Sequence, residues 1–197
     1  MVEATMLTFT ETGIWVTDSK KHHVVDDGLA SYISKLITVD AFKNVIAVPR
    51  LYDYGCGTGG YCKYLSSHNI TTLGIDGNPN SKDIEEVPIK VHDLTTPLDI
   101  DPVPYGISIE VGNHIPESLY DKFMENILGR TSSLLIMSWA KPGQGGENQL
   151  NRKDFDSLSL DIYQRGWEVD YECTYKARRS ASYVWIKDTV AVYRKRF

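Results

Sequence analysis

Residues 51–60, Leu51-Tyr52-Asp53-Tyr54-Gly55-Cys56-Gly57-Thr58-Gly59-Gly60, read as a buried strand that runs into a glycine-rich turn and opens a helix. Gly55, Gly57 and Gly60 have the spacing of a nucleotide-binding turn. One glycine suits the tight turn, one the close approach of backbone to a ligand, and one close packing of helix on strand. Thr58 and Gly59 complete the turn, and Thr58 stands where a hydroxyl can cap the helix start. A chain with this feature is expected to fold as an α/β sheet. The acid at position 53 narrows the ligand. A carboxylate there repels a pyrophosphate and suits a ligand that brings an ammonium or sulfonium group to the turn.

Acids also close the next three predicted strands. Thr71 to Ile75 ends on Asp76, twenty-three residues after Asp53, where a ribose is held through its hydroxyls. Gly77-Asn78-Pro79 turns the chain; Val87 to His92 ends on Asp93, followed by Leu94; Tyr105 to Ile109 ends on Glu110, followed by Val111. In an open α/β sheet ligands bind beyond the carboxyl ends of the strands, so these acids are expected to share one crevice. Cys56 lies inside the first turn. The ligand inferred is S-adenosylmethionine rather than NAD.

The same residues carry a family resemblance. Asp53 to Gly60 is similar to the first motif of class I S-adenosylmethionine-dependent methyltransferases, Asp76 to that family's ribose-binding acid and Asp93 to its adenine-proximal acid. Ile109 to Pro116 resembles its fourth motif, and the likeness runs from about residue 45 to the C-terminus. It implies a Rossmann-like methyltransferase fold: a seven-stranded, mostly parallel sheet with an antiparallel C-terminal hairpin. It also implies that His114 packs beneath the cofactor or helps shape the pocket; His114 is separately the candidate for a general base. Ser138 to Gly146 is similar to a less described methyltransferase-like group that places a histidine shortly before an asparagine. Here the matching run, Glu147-Asn148-Gln149-Leu150-Asn151, has none.

Elsewhere the pattern predicts an amphipathic helix from Asp26 to Lys43, with Leu29, Tyr32, Ile33, Leu36 and Ile37 on one face. Residues 1–48 are read as an N-terminal helical extension that packs on the cofactor site, and residues 49–197 as the cofactor-binding part of one domain. Further helices are expected over Glu117–Leu128 and Asp154–Arg165, and a central strand over Ser133–Trp139. Trp167–Tyr175 and Tyr183–Arg194 read as two strands, and the short link between them predicts a hairpin. Substrate contacts are expected from Gln144 in the glycine-rich loop, from Trp139 at its strand end, and from Trp15 and His22 of the extension.

A length of 197 residues suits one domain with a full core. No apolar run reaches the length of a membrane span, and Met1 to Thr10 lacks the basic start and apolar stretch of a signal peptide. Three cysteines, with no second pair to complete a zinc site, point to a reducing, cytoplasmic setting and no metal. A net charge of −5 argues against nucleic acid as the main partner, although basic residues gather between Lys176 and Arg196. These observations lead to methyl transfer onto an N or O of a small-molecule or peptide acceptor. A cofactor-binding partner or scaffold subunit is the alternative, with an RNA methyltransferase or an NAD-dependent oxidoreductase behind it.

Overall fold

The computed structural model describes residues 8–16, 23–83 and 86–196. Alternation along two central strands decides where its layers lie. In β3 (Arg50–Tyr54), Leu51 points to one face while Tyr52 and Tyr54 point to the other. In β7 (Thr131–Ser138), Leu134 and Ile136 share the face of Leu51, and Leu135 and Met137 share that of the tyrosines. Both faces are apolar, so each must be covered by helices. Helices α1 (Asp27–Lys43), α2 (Gly60–Ser66), α5 (Tyr171–Ser180) and α6 (Val184–Thr189) cover the first. Helices α3 (Tyr120–Gly129) and α4 (Phe155–Gln164) cover the second.

The remaining strands of this sheet are β4 (Thr71–Asp76), β5 (Ile89–Val91), β6 (Val103–Ile109), β8 (Trp167–Val169) and β9 (Ala191–Lys195). The seven strands lie in the order β5-β4-β3-β6-β7-β9-β8. The first five are mutually parallel, and β9 runs antiparallel to both β7 and β8. Strand order therefore reverses between β3 and β6, and their C-terminal ends, at Tyr54 and Ile109, flank the crevice. Pro104 sits inside β6 at a register shift, one of the few places a strand tolerates the missing amide. Among the described residues between β4 and β5, a 3-10 turn, Pro79–Asp83, stands in place of a crossover helix.

The antiparallel pairing at the end of the chain agrees with expectation, but the hairpin does not. Within residues 171–189, α5 and α6 carry the chain from β8 round to β9. Asp170 begins α5 by accepting from the amide of Cys173 at 2.9 Å, and the helix has Glu172 in its first turn and Arg178 and Arg179 in its last. Those are helix-start and helix-stop signals that the apolar, β-prone residues around them concealed. Helix α6 consists largely of β-formers; burying Ile186 beside α1 and β9 overrides their preference.

The N-terminal part contributes two pieces. Asp26 caps α1, and the same carboxylate accepts from the amides of Ser182 and Tyr183 at 2.6 and 2.8 Å, tying α1 to the α5–α6 junction. Ahead of it β1 (Thr8–Phe9) and β2 (Trp15–Val16) form a small antiparallel ladder.

Candidate active site

The first half of the site follows from the glycine turn. Gly55, Gly57 and Gly59 all have positive φ, at 79°, 55° and 73°, which other residues adopt only with strain. At Gly55 a side chain would also collide with Val111. The Gly55 amide donates to the Ile75 carbonyl at 2.7 Å, which locks the turn to β4. Helix α2 is capped by Gly59 with no side-chain bond, so Thr58 does not act as the expected cap; the left-handed turn leaves that position to a glycine.

Asp53 is buried with 3% exposure, and the Cys62 thiol donates to it at 3.6 Å. Among the described residues no cationic side chain pairs with it. Burial pushes its pKa up to about 7, and the neighbouring charge of Asp76 adds to the rise. Asp76 accepts from the amides of Gly57 and Asn78 at 2.7 and 2.8 Å, one on each oxygen; burial raises its pKa too. Asp93 folds back on Thr95, taking its amide and its hydroxyl on Oδ1 at 2.8 and 2.7 Å.

These acids open on one cavity of about 840 Å3, within the usual range of roughly 300–1,000 Å3 for small-molecule sites. Of the residues expected to contact cofactor, Asp53, Gly55, Cys56, Asp76, Gly77, Asp93, Leu94, Glu110 and Val111 line it. Gly57, Thr58, Gly59 and Asn78 stand outside the lining and shape the turn from behind. The space beside Gly57 is taken by the ring of His23.

The second half of the cavity is assembled from distant segments. Glu110 directly follows β6 with φ at +56°, a strained conformation for a residue with a side chain. Its carboxylate accepts from Gln144 Nε2 at 2.7 Å and from Thr189 Oγ1 at 3.3 Å, joining the glycine-rich loop to α6. Burial raises its pKa. Across the same gap Lys141 Nζ lies 2.7 Å from Asp188. Gln144, expected to contact substrate, lines the cavity with its amide engaged by Glu110.

His114 lines the cavity from a 3-10 turn, Gly112–His114. Its Nδ1 donates to the Asn148 carbonyl at 3.0 Å and its Nε2 accepts from Asn113 Nδ2 at 3.1 Å. Burial lowers its pKa, so the ring is a neutral one with both nitrogens engaged. Trp15 meets it edge to face at 4.8 Å and lines the cavity, while Ile14 rests where Gly77 has no side chain. The N-terminal ladder thus spans the strand ends from Gly77 to His114. Trp139 departs from expectation. It is a core residue, donating to the Asn151 carbonyl at 2.6 Å and packing against Tyr120 and Phe123, and it does not line the cavity. Gly112 leaves room for its ring, which drew it inward. His22 lies outside the described residues.

Sequence reasoning missed Val184, Trp185, Ile186 and Asp188, because it placed them in a strand; all four line the cavity from α6. The capping signal at Asp170 was the available clue to a helical connection. The basic residues near the C-terminus do not converge on the site. Lys176 pairs with Glu172, Arg194 with Asp40 and Asp170, and Arg178 donates to the Val190 carbonyl. Among the described residues no group of three or more His, Cys, Asp or Glu side chains is placed to hold a metal ion, and no helix is long and apolar enough to cross a membrane.

No family model matches the sequence, and no curated protein matches it. Solved structures do resemble the fold. The magnesium protoporphyrin IX methyltransferase of Synechocystis PCC 6803, with S-adenosylmethionine bound, is 12% identical over 86% of this chain and 80% of its own, with a TM-score of 0.60. The amino pentose methyltransferase CalS10 from Micromonospora echinaspora, also with S-adenosylmethionine, is 11% identical over 84% and 89%, with a TM-score of 0.66. The cyclase SpnF is 17% identical over 83% and 80%, with a TM-score of 0.56. The protein has the Rossmann-like fold of class I S-adenosylmethionine-dependent methyltransferases.

Proposed function

We propose that the protein binds S-adenosylmethionine and transfers its methyl group to an N or O of a small-molecule or peptide acceptor. The observation that carries this reading is Asp53: a buried carboxylate at a left-handed glycine turn, with no cationic partner among the described residues. A ligand ammonium suits that position and a diphosphate does not. Asp76 would hold the ribose, Asp93 and Leu94 the adenine side, and Glu110 and Val111 the edge facing the acceptor. When bound, the cofactor supplies an electrophilic methyl group on a sulfonium.

What the chain itself contributes is alignment and exclusion of water, worth roughly 7–11 kcal/mol of barrier where geometry is good. Trp15 and the N-terminal ladder cover the strand ends, and in this reading residues 1–48 close the cofactor site of a single domain. His114 supports the pocket as a neutral ring; base catalysis by it would require Nε2 to leave Asn113. Three unpaired cysteines favour a cytoplasmic setting.

Isothermal titration with S-adenosylmethionine, S-adenosylhomocysteine and NAD tests the reading. Both sulfur compounds are expected to bind and NAD is not; NAD binding alone would overturn it. A second reading, a cofactor-binding subunit without methyl transfer, is favoured by the two engaged nitrogens of His114 and by the likeness to a cyclase. Cofactor binding without methylation across a metabolite and peptide panel would select it.

A further inference from the structure

We infer that the acceptor half of the cavity is built for an apolar, ring-bearing ammonium, and against acceptors carrying phosphate or carboxylate. The inference rests on the methyltransferase reading for the word acceptor, but its physical basis is the charge and shape of the cavity. Five carboxylates line that cavity: Asp53, Asp76, Asp93, Glu110 and Asp188. Among the described residues Lys141 is the only lysine or arginine in the lining, and it is already paired with Asp188 at 2.7 Å. His114 adds no charge, since its Nδ1 proton faces a carbonyl and burial disfavours the imidazolium. Among the described residues no lysine or arginine in the lining is therefore left to neutralise an anionic ligand, and Glu110 stands at the acceptor end without a cationic partner.

The walls at that end are apolar and aromatic. Trp15, Ile115, Val184, Trp185 and Ile186 all line the cavity. Trp185 stacks on Tyr183 with centroids 4.7 Å apart and is 42% exposed, and Val184 is 68% exposed. Large apolar side chains left open at the rim of a pocket mark a surface that a ligand's apolar body covers. Indole faces also attract cations within ~6 Å of the ring centroid. Acids that lack a counter-cation, beside aromatic walls, select a cation with an apolar body. The same lining disfavours nucleic acid, whose backbone would bring phosphates to an acidic mouth.

The test uses three indoles that differ in charge: tryptamine, tryptophol and indole-3-acetate. Each is titrated calorimetrically into the full chain saturated with S-adenosylhomocysteine. Tryptamine is expected to bind about 10-fold more tightly than indole-3-acetate, with tryptophol between them. Raising the salt concentration should narrow that gap, Glu110→Gln should shrink it, and Trp185→Ala should weaken all three. Indole-3-acetate binding as tightly as tryptamine would overturn the inference. So would an absence of tryptamine binding to protein that has taken up S-adenosylhomocysteine. If S-adenosylhomocysteine fails to bind while the order of the indoles holds, the cofactor reading falls and the cavity's preference for cations stands.

Discussion

The two halves of the cavity are built in opposite ways. The cofactor half comes almost wholly from one run of chain, residues 53 to 94, in which successive strands deliver an acid or a glycine to one edge of the sheet. The acceptor half needs four separate segments: Gly13 to Trp15, Glu110 to Ile115, Lys141 to Gln149, and Val184 to Asp188. Side-chain bonds between segments far apart in sequence hold it, as from Glu110 to Gln144 and Thr189. A site of the first kind is specified by local pattern, and one of the second kind exists only once the chain has packed.

The sharpest way to break this comparison is to remove the charge in the cofactor half. Asp53→Ala should weaken S-adenosylmethionine binding by about 2–4 kcal/mol, roughly 30- to 1,000-fold, measured by titration calorimetry, with the circular dichroism spectrum unchanged. Asp53 also dictates a pH dependence. Its folded pKa of about 7 lies above the ordinary value of 3.8. The folded state therefore holds a proton that the unfolded state has released, and stability of the ligand-free protein should fall as pH rises from about 4 to 7. Asp76 and Glu110 are raised in the same direction. Urea midpoints across that range should show a shallower slope in Asp53→Asn.

An effect of similar size, on folding rather than on binding, is expected where the acceptor half is anchored. Asp26→Ala removes the α1 cap and leaves the Ser182 and Tyr183 amides without their acceptor, at a cost of about 2–4 kcal/mol by urea unfolding. Hydrogen exchange should then speed up around residues 182–189 before it does in β3 and β4; uniform acceleration would count against two separately stabilised halves. Thr189→Val deletes the hydroxyl that bonds the Trp185 carbonyl at 2.6 Å and Glu110 at 3.3 Å, and should cost about 1 kcal/mol. Limited proteolysis should detect the change as faster cleavage at 141–146, with affinity for S-adenosylhomocysteine unaltered. The least effect belongs to Lys141→Ala. Its pair with Asp188 is half exposed, so the thermal midpoint should not move.

Reading the sequence recovered the glycine turn, the placement of acids 53, 76, 93 and 110 at the strand ends, helix α1, and the position of α4. Each is encoded within a few residues, by periodicity, by a cap or by a strand end. It failed at Trp139, Thr58 and residues 171–189. Trp139 looks the same in sequence whether it faces a cavity or a core, and the glycine at 112 that admits its ring is a non-local fact. Residues 183–189 are strand-formers whose helical state depends on the apolar cluster around α1.

Taken alone, then, the sequence determined an α/β chain, the turn that can receive a nucleotide-like ligand, and the sign of the charge beside it. These depend on steric and electrostatic rules that act over one or two turns of chain. Only the tertiary structure decided that α6 and the N-terminal ladder wall the cavity, that His114 is neutral and engaged, and that the single lining cation among the described residues is already paired. Those properties bring residues as distant in sequence as Gly13 and Asp188 into one lining, and a juxtaposition of that kind has no local signature to read.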